Sequence, residues 1–340
     1  MRVGIIVPLV WILCTAVGCQ AEKETPALTL DTRSAEPIPS SNVDVVLALN
    51  WFPEVEHGGY YAALIHNYYA EEGLNVTIRS GGPKVPVIAD VASGTVAFGV
   101  DNADKVLLGR AQQADVVALM APIQNSPRCI MVHKTAGITK LEDLSNRKPL
   151  TLAMNTGQAF AQFLMKRVRL NDAQIVAYPG NVARFLLEPN YGQQAYNFSE
   201  PFVAQKEGGD PVCLMLSELG FNIYTSVLIT RVELIEKHPD LIGKMTRASI
   251  RGWKKYLTAP DETNRHIHER NPQMGLDVLG FGVNELRKLC LPEHFSEERL
   301  GEMTADRWET LTTQMVEIDS LAKNAVNSEA AFTMDFLKTE

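Results

Sequence analysis

From Val43 onward the apolar positions follow two alternating periods. Val43 to Leu49 is a β-branched run, Tyr60 to Glu72 has helical spacing that stops at Gly73, and Asn75 to Arg79 again reads as a strand. Val85 to Ala92 reads as a helix stopped by Gly94, Val96 to Val100 as a strand, Asp104 to Gln112 as a helix and Val116 to Ala121 as a strand. This βαβαβαβ order predicts a mostly parallel sheet covered by helices, with ligands gathering beyond the carboxyl ends of the strands.

After Pro122 to Pro127 the pattern starts again. Cys129 to His133, Leu150 to Met154, Gln174 to Tyr178, Gln194 to Tyr196 and Val212 to Leu216 read as strands. Leu141 to Leu144, Ala159 to Val168, Val182 to Leu187 and Pro201 to Lys206 read as helical. A strand at Ser226 to Ile229 then leads into helices around Pro239 to Leu257, Asn264 to Arg270, Val283 to Cys290 and Glu297 to Asn324. The fold class is α/β in two lobes: 43–124 form the first, 125–224 the second, and 225–340 return to the first. Extended crossings near Gln124 and Tyr224 leave a cleft between the lobes and a hinge beneath it.

The ends of the chain read differently. Met1-Arg2 and the apolar stretch Val3 to Val17, broken by Pro8, suit a leader peptide better than a membrane span, and residues 1–18 are assigned to it. Thr15-Ala16-Val17-Gly18-Cys19 resembles a bacterial lipobox, with Ala16 where such boxes usually carry Leu. Acylated Cys19 would then tether the protein to a membrane, through residues 19–42, a stretch rich in Glu, Thr, Ser and Pro that cannot bury enough apolar surface to order itself. The alternative is a secreted protein that loses Cys19 with its leader. After lipidation three cysteines remain, so at most one disulfide can form; Cys129 and Cys213 read as small buried apolar residues, and the wide spacing offers no metal site. The net charge of -8, with no clustered basic face, argues against a nucleic-acid partner.

Leu49-Asn50-Trp51-Phe52-Pro53, His57-Gly58-Gly59-Tyr60-Tyr61-Ala62-Ala63 and Glu72-Gly73-Leu74 resemble the opening of bacterial periplasmic solute-binding proteins of the thiamine-pyrimidine, sulfonate and nitrate group. Ser93 to Gly99, Gly137-Ile138-Thr139, Leu141 to Leu144 and Glu200-Pro201 follow in that family's order, over most of residues 43 to 260. The resemblance implies a two-lobed type II periplasmic binding fold that closes on a small solute and presents it to an ABC permease. It also implies an extracytoplasmic monomer with no cofactor, no metal and no catalysis.

Within that frame Asn50 and Trp51, at the end of the first strand, are the first candidates for the ligand wall; Trp51 either stacks on the solute or plugs the lobe core. His57, Tyr60 and Tyr61 lie at a helix start, with at most one tyrosine facing a ligand. Asp101 and Asn102 either cap the following helix or face the cleft. From the second lobe, Asn155, Thr156, Gly157 and Gln158 form a strand-to-helix junction offering amide and hydroxyl groups, and Gln124 and Tyr224 mark the crossings. Glu200 matches the place where pyrimidine-binding members resemble one another in carrying a carboxylate, which favours an amine-bearing ligand; a helix-start carboxylate is its plainer role. Arg128 and Arg184 leave an anionic ligand open, although surface salt bridges account for lone arginines more simply.

The same family resembles fungal thiamine-pyrimidine synthases, which consume pyridoxal phosphate and one of their own histidines. Their lysine position holds Asp101 here, the histidine position holds Lys105, and the cysteine run is replaced by Phe221-Asn222-Ile223-Tyr224-Thr225. The expectation is therefore capture of a small aromatic or amine-bearing solute such as a thiamine-pyrimidine precursor. The alternatives are a synthase-like enzyme or a receptor for sulfonate, nitrate or riboflavin. His266-Ile267-His268 with His294 reads as a solvated surface rather than a metal site.

Overall fold

Two five-stranded mixed sheets, each flanked by helices, build the computed structural model, which describes residues 42–170 and 172–337. The leader, Cys19 and the tether as far as residue 41 lie outside the described residues. The first lobe runs through β1 (Val43–Ala48), α1 (Gly58–Ile65), α2 (Tyr68–Glu71), β2 (Leu74–Arg79), α3 (Val87–Ala92), β3 (Phe98–Asp101), α4 (Ala103–Ala111) and β4 (Val116–Met120). The second contains β5 (Arg128–His133), β6 (Leu150–Ala153), α5 (Ala159–Arg167), β7 (Ala173–Val176), α6 (Ala183–Leu187), β8 (Tyr191–Tyr196), α7 (Glu200–Lys206) and β9 (Pro211–Met215). The chain then returns through β10 (Val227–Arg231), α8 (Val232–Lys237), α9 (Pro239–Thr258), α10 (Asp261–Arg270), α11 (Leu276–Cys290) and α12 (Ala305–Glu317).

Both sheets follow one plan. The first is ordered β2-β1-β3-β10-β4 and the second β7-β6-β8-β5-β9, so in each a strand that has just crossed between lobes is inserted between the third and fourth strands of its lobe. Those inserted strands run antiparallel to both neighbours, whereas β1 with β2 and β3, and β6 with β7 and β8, are parallel. The expected mostly parallel sheet holds for strand direction, four of the five strands running the same way, and the inserted strand makes each sheet mixed. The consequence for the site is direct: β5 and β10 begin at the edge of the sheet where the parallel strands end, so their first residues face the same cleft.

The helix expected over Tyr60 to Glu72 is broken at Asn67, whose φ of 61° ends α1 and lets α2 start at a new angle. The long helix expected over Glu297 to Asn324 is reduced to a single turn at Glu297–Arg299 and α12, because Gly301, with φ of 95°, turns the chain into a bridge with Ala121. Cys129 and Cys213 are not merely buried apolar residues. They are joined as a disulfide between neighbouring strands β5 and β9, which places their sulfurs within bonding reach. Cys290 remains a buried free thiol.

The amphipathic face of α9 packs on α1 at unusually short range. A Cβ on Gly58 would lie 2.0 Å from the Tyr256 ring, one on Gly59 2.1 Å from the Trp253 ring, and one on Gly252 2.2 Å from the Gly59 carbonyl oxygen. The three glycines therefore set how closely the two helices approach.

At the crossings Ile123 bridges to Thr225, and the Asn222 side chain bonds Ser126 N–H and the Asn125 amide. Arg307 of α12 donates to the carbonyl oxygens of Gln124 (2.6 Å) and Asn222 (2.9 Å), with its guanidinium 3.8 Å from the Tyr224 ring centre. Gln124 donates to Ala121 and Glu302 carbonyls, and the Tyr224 hydroxyl accepts from Thr304 N–H. The two residues expected to touch ligand from the crossings are buried, and their polar groups are bonded within and around the crossing segments.

Candidate functional site

The ends of β1, β3 and β8 and the starts of β5 and β10 meet in one polar cluster. From the first lobe, the segment after β1 carries Glu54, Glu56 and His57, all buried. The imidazole Nε2 donates to Asn50 Oδ1 at 3.0 Å and lies 3.5 Å from Glu56 Oε1. Burial lowers the His57 pKa to about 3, partly opposed by a bond to the Phe52 backbone, so the ring is neutral with its proton on Nε2. Ser226, just before β10, donates from its hydroxyl to Glu56 Oε2 at 3.3 Å and from its N–H to Asn102 Oδ1 at 3.3 Å, while its carbonyl accepts from the Tyr60 hydroxyl at 2.8 Å. Its φ of 52° places a fully buried non-glycine residue in the left-handed region, a strain that these three bonds sustain.

The carboxyl groups compete for charge. Burial raises the Glu56 pKa to about 7, opposed by Arg128 and by bonds from Ser226 and Glu54. Burial also raises Glu54 well above the usual range, reinforced by Glu56 and Glu200. Asp101 rises to about 7, mainly from burial, although the Asn102 N–H donates to it at 2.8 Å. Asp104, 5% exposed, is raised by burial as well, and its Oδ1 has no hydrogen-bond partner.

The second lobe answers with Arg128, the first residue of β5. Its guanidinium lies 4.0 Å from the Tyr196 ring centre and 4.7 Å from that of Phe160, the second residue of α5. Among the described residues it makes no ion pair within 4 Å, yet it acts electrostatically on Glu54, Glu56 and Asp104. Glu200, which opens α7, accepts from the Tyr178 hydroxyl at 2.8 Å and from the Tyr196 N–H at 2.9 Å. The Tyr196 hydroxyl meets the Asn102 side chain of the other lobe, and burial raises the pKa of both tyrosines. The Arg128 guanidinium thus acts on Glu54, Glu56 and Asp104 from beside the Tyr196 and Phe160 rings, with Asp101 and Glu200 acting in turn on or near those carboxyls.

The model of the NMT1/THI5-like proteins matches residues 54–263, more than half of the chain. The chain belongs to that family. Among curated relatives of this NMT1/THI5-like protein, the riboflavin-binding protein RibY of Chloroflexus aurantiacus is 23% identical, with 99% of this chain and 97% of RibY aligned. The formylaminopyrimidine-binding protein of Halalkalibacterium halodurans is 21% identical, covering 84% and 88%. Of solved structures, the periplasmic aliphatic sulphonate binding protein SsuA of Escherichia coli superposes with a TM-score of 0.63 at 12% identity, covering 86% of this chain and 92% of SsuA. The two-lobed α/β fold is that of periplasmic binding proteins.

The residues named from the NMT1/THI5-like resemblance fall into three groups. Asn50, His57, Asp101, Asn102 and Glu200 belong to the cluster. Asn102 occupies the N-cap position of α4, but its side chain bonds Ser226 instead of capping the helix. Tyr60 and Tyr61 are core residues: Tyr60 supports Ser226, and the Tyr61 hydroxyl bonds Ser80 with its ring beside His266. A cleft-facing role for either tyrosine is corrected accordingly, since α1 turns both rings into the packing against α9 and α10. Trp51 is 40% exposed, with its ring edge-on to Phe52 at 5.4 Å. Asn155, Thr156 and Gly157 are exposed and Gln158 half-buried; their polar bonds are local, Asn155 N–H to Gln194 and the Thr156 carbonyl from Gln162.

Sequence reading missed Glu54, Glu56, Tyr178, Tyr196 and Ser226. The pair Glu54-Val55-Glu56, immediately before a helix with no polar face, was the available signal: carboxylates entering an apolar segment need partners. Arg184 pairs with Glu188 at 2.7 Å, so the salt-bridge account holds for it and not for Arg128.

Proposed function

We propose that this protein is an extracytoplasmic solute receptor serving an ABC importer, anchored through acylated Cys19, that closes its lobes on one small N–H-rich heterocycle. The observation carrying this reading is the surplus of carboxyl groups in the cleft: Glu54, Glu56, Asp101 and Asp104 from one lobe and Glu200 from the other. Such a lining gives a bare sulfonate or nitrate few N–H donors, while its carboxyl oxygens accept hydrogen bonds from amine or ring N–H groups. The named ligands of two relatives, riboflavin and a formylaminopyrimidine, are planar heterocycles of that kind. A disulfide between Cys129 and Cys213 suits an oxidising compartment outside the cytoplasm. Capture requires no covalent step. Asp101, where the synthase likeness requires a lysine, offers no amine for an imine with pyridoxal phosphate.

Calorimetric titration with formylaminopyrimidine, riboflavin, taurine and nitrate should give one saturable site for a heterocycle and none for the anions. Glu56→Gln should weaken that binding about 10- to 100-fold, the effect of losing a charge-assisted hydrogen bond. Tight binding of taurine or nitrate would refute the reading.

A further inference from the structure

We propose that Arg128 is the specificity-determining residue that reads an oxygen acceptor on the solute, so that the ligand must present a carbonyl or anionic oxygen beside its N–H donors. The inference rests on the reading of the cleft as the solute site and narrows the class of solute.

Most arginines near acids in this molecule pair with them, and Arg287 and Arg307 instead donate to backbone carbonyl oxygens; Arg128 does neither among the described residues. Arg79, Arg110, Arg167, Arg184, Arg231, Arg251 and Arg299 each have a carboxylate within 4 Å. Arg128 has none among the described residues, although its charge acts on Glu54, Glu56 and Asp104. It is held by ring faces, Tyr196 on one contact and Phe160 on another. Aromatic faces fix a guanidinium plane while leaving its N–H edge unused. That edge is a fork of donors suited to a carbonyl, carboxylate or phosphate oxygen.

Position accounts for the arrangement. Arg128 opens β5, and because β5 runs antiparallel to its neighbours, its first residue stands at the cleft edge of the second sheet. Phe160 arrives from the second residue of α5 and Tyr196 from the last residue of β8, so both stacking rings come from the second lobe and travel with Arg128. The carboxyl pair Glu54 and Glu56 comes from the first lobe. A solute between them meets acceptors on one side and donors on the other. A group carrying only amines satisfies one side; a formamide, ring amide or ring carbonyl beside an amine satisfies both. Solutes with a carboxylate or phosphate share the same oxygen chemistry, and the ligand arms below separate them from neutral carbonyls.

The test is titration of wild type, Arg128→Met and Arg128→Lys with four probes: formylaminopyrimidine, its deformylated amine, riboflavin and riboflavin 5′-phosphate. Circular dichroism and thermal melting establish that each variant is folded. Arg128→Met should weaken the oxygen-bearing probe that wild type binds by about 10- to 100-fold. It should leave the deformylated amine unchanged or bound more tightly, because a positive charge opposing that amine has been removed. Arg128→Lys should recover only part of the loss, since an ammonium keeps the charge without the fork. A wild-type preference for riboflavin 5′-phosphate over riboflavin assigns the oxygen to an anion; equal or weaker binding assigns it to a carbonyl. Parallel loss for the amine and its formyl derivative, or no loss at all in folded Arg128→Met, overturns the inference and leaves the receptor reading standing. Failure of wild type to bind any probe overturns both.

Discussion

At the scale of single residues, the cleft is controlled by where protons sit. Glu56 and Asp101 have pKa values raised by burial to about 7, so they hold protons more tightly folded than unfolded. Their contribution to stability is therefore present below about 4.5 for Glu56 and is lost as pH rises towards 7. His57 runs the other way: its pKa is lowered to about 3, so its contribution is present above about 6.5 and is lost as pH falls towards 3. Glu56→Gln, which mimics the protonated acid, should raise the melting temperature of ligand-free protein by a few degrees at pH 8, with the gap closing by pH 4.5. A gap independent of pH, read by differential scanning calorimetry, would show that Glu56 is not a buried proton holder. Little of this was legible beforehand. Glu200 stood out through a motif, but Glu54 and Glu56 become unusual only once Ser226, 170 residues from Glu56, closes over them.

At the scale of elements, strand and helix identities follow from periodicity, and the departures have local causes. α9 was expected nearly residue for residue, because one broad apolar stripe over twenty positions leaves no competing period. The break at Asn67 was hidden, since apolar spacing continues through it while one left-handed residue redirects the helix. The glycines before Tyr60 belong to the motif that carries the family resemblance; their Cβ positions are filled by Trp253 and Tyr256. Gly59→Ala should therefore destabilise the protein by about 1–3 kcal/mol or more through overpacking, measured by urea unfolding. Partial recovery on adding Trp253→Leu would locate the clash; an unaffected midpoint for Gly59→Ala would contradict the close α1–α9 approach.

At the scale of the whole molecule, the lobes meet across the cleft and also at its rim. Phe202 of α7 stacks on Phe281 of α11, with ring centres 4.7 Å apart and planes 18° from parallel, and Lys206 pairs with Asp277 at 2.5 Å beside them. Phe281→Ala should speed solute release about 3- to 10-fold in stopped-flow measurements, because the stacked pair is made between lobes. Asp277→Asn should change it little, the pair being exposed to solvent. An unchanged release rate for Phe281→Ala would mean that the rim does not retain the solute. The chain's own pattern determined its α/β class and the restart of the pattern after Pro127, because each depends on nearby residues burying one face of a strand or helix. Only the tertiary structure decided that Gln124 and Tyr224 bond within the crossings, that Tyr60 and Tyr61 turn inward, and that Arg128 comes near Glu54, Glu56 and Asp104. Those outcomes depend on where β5 and β10 enter their sheets in reverse. Antiparallel insertion brings the first residue of a strand beside the last residues of its neighbours, and no local period in the sequence records which segments will meet there.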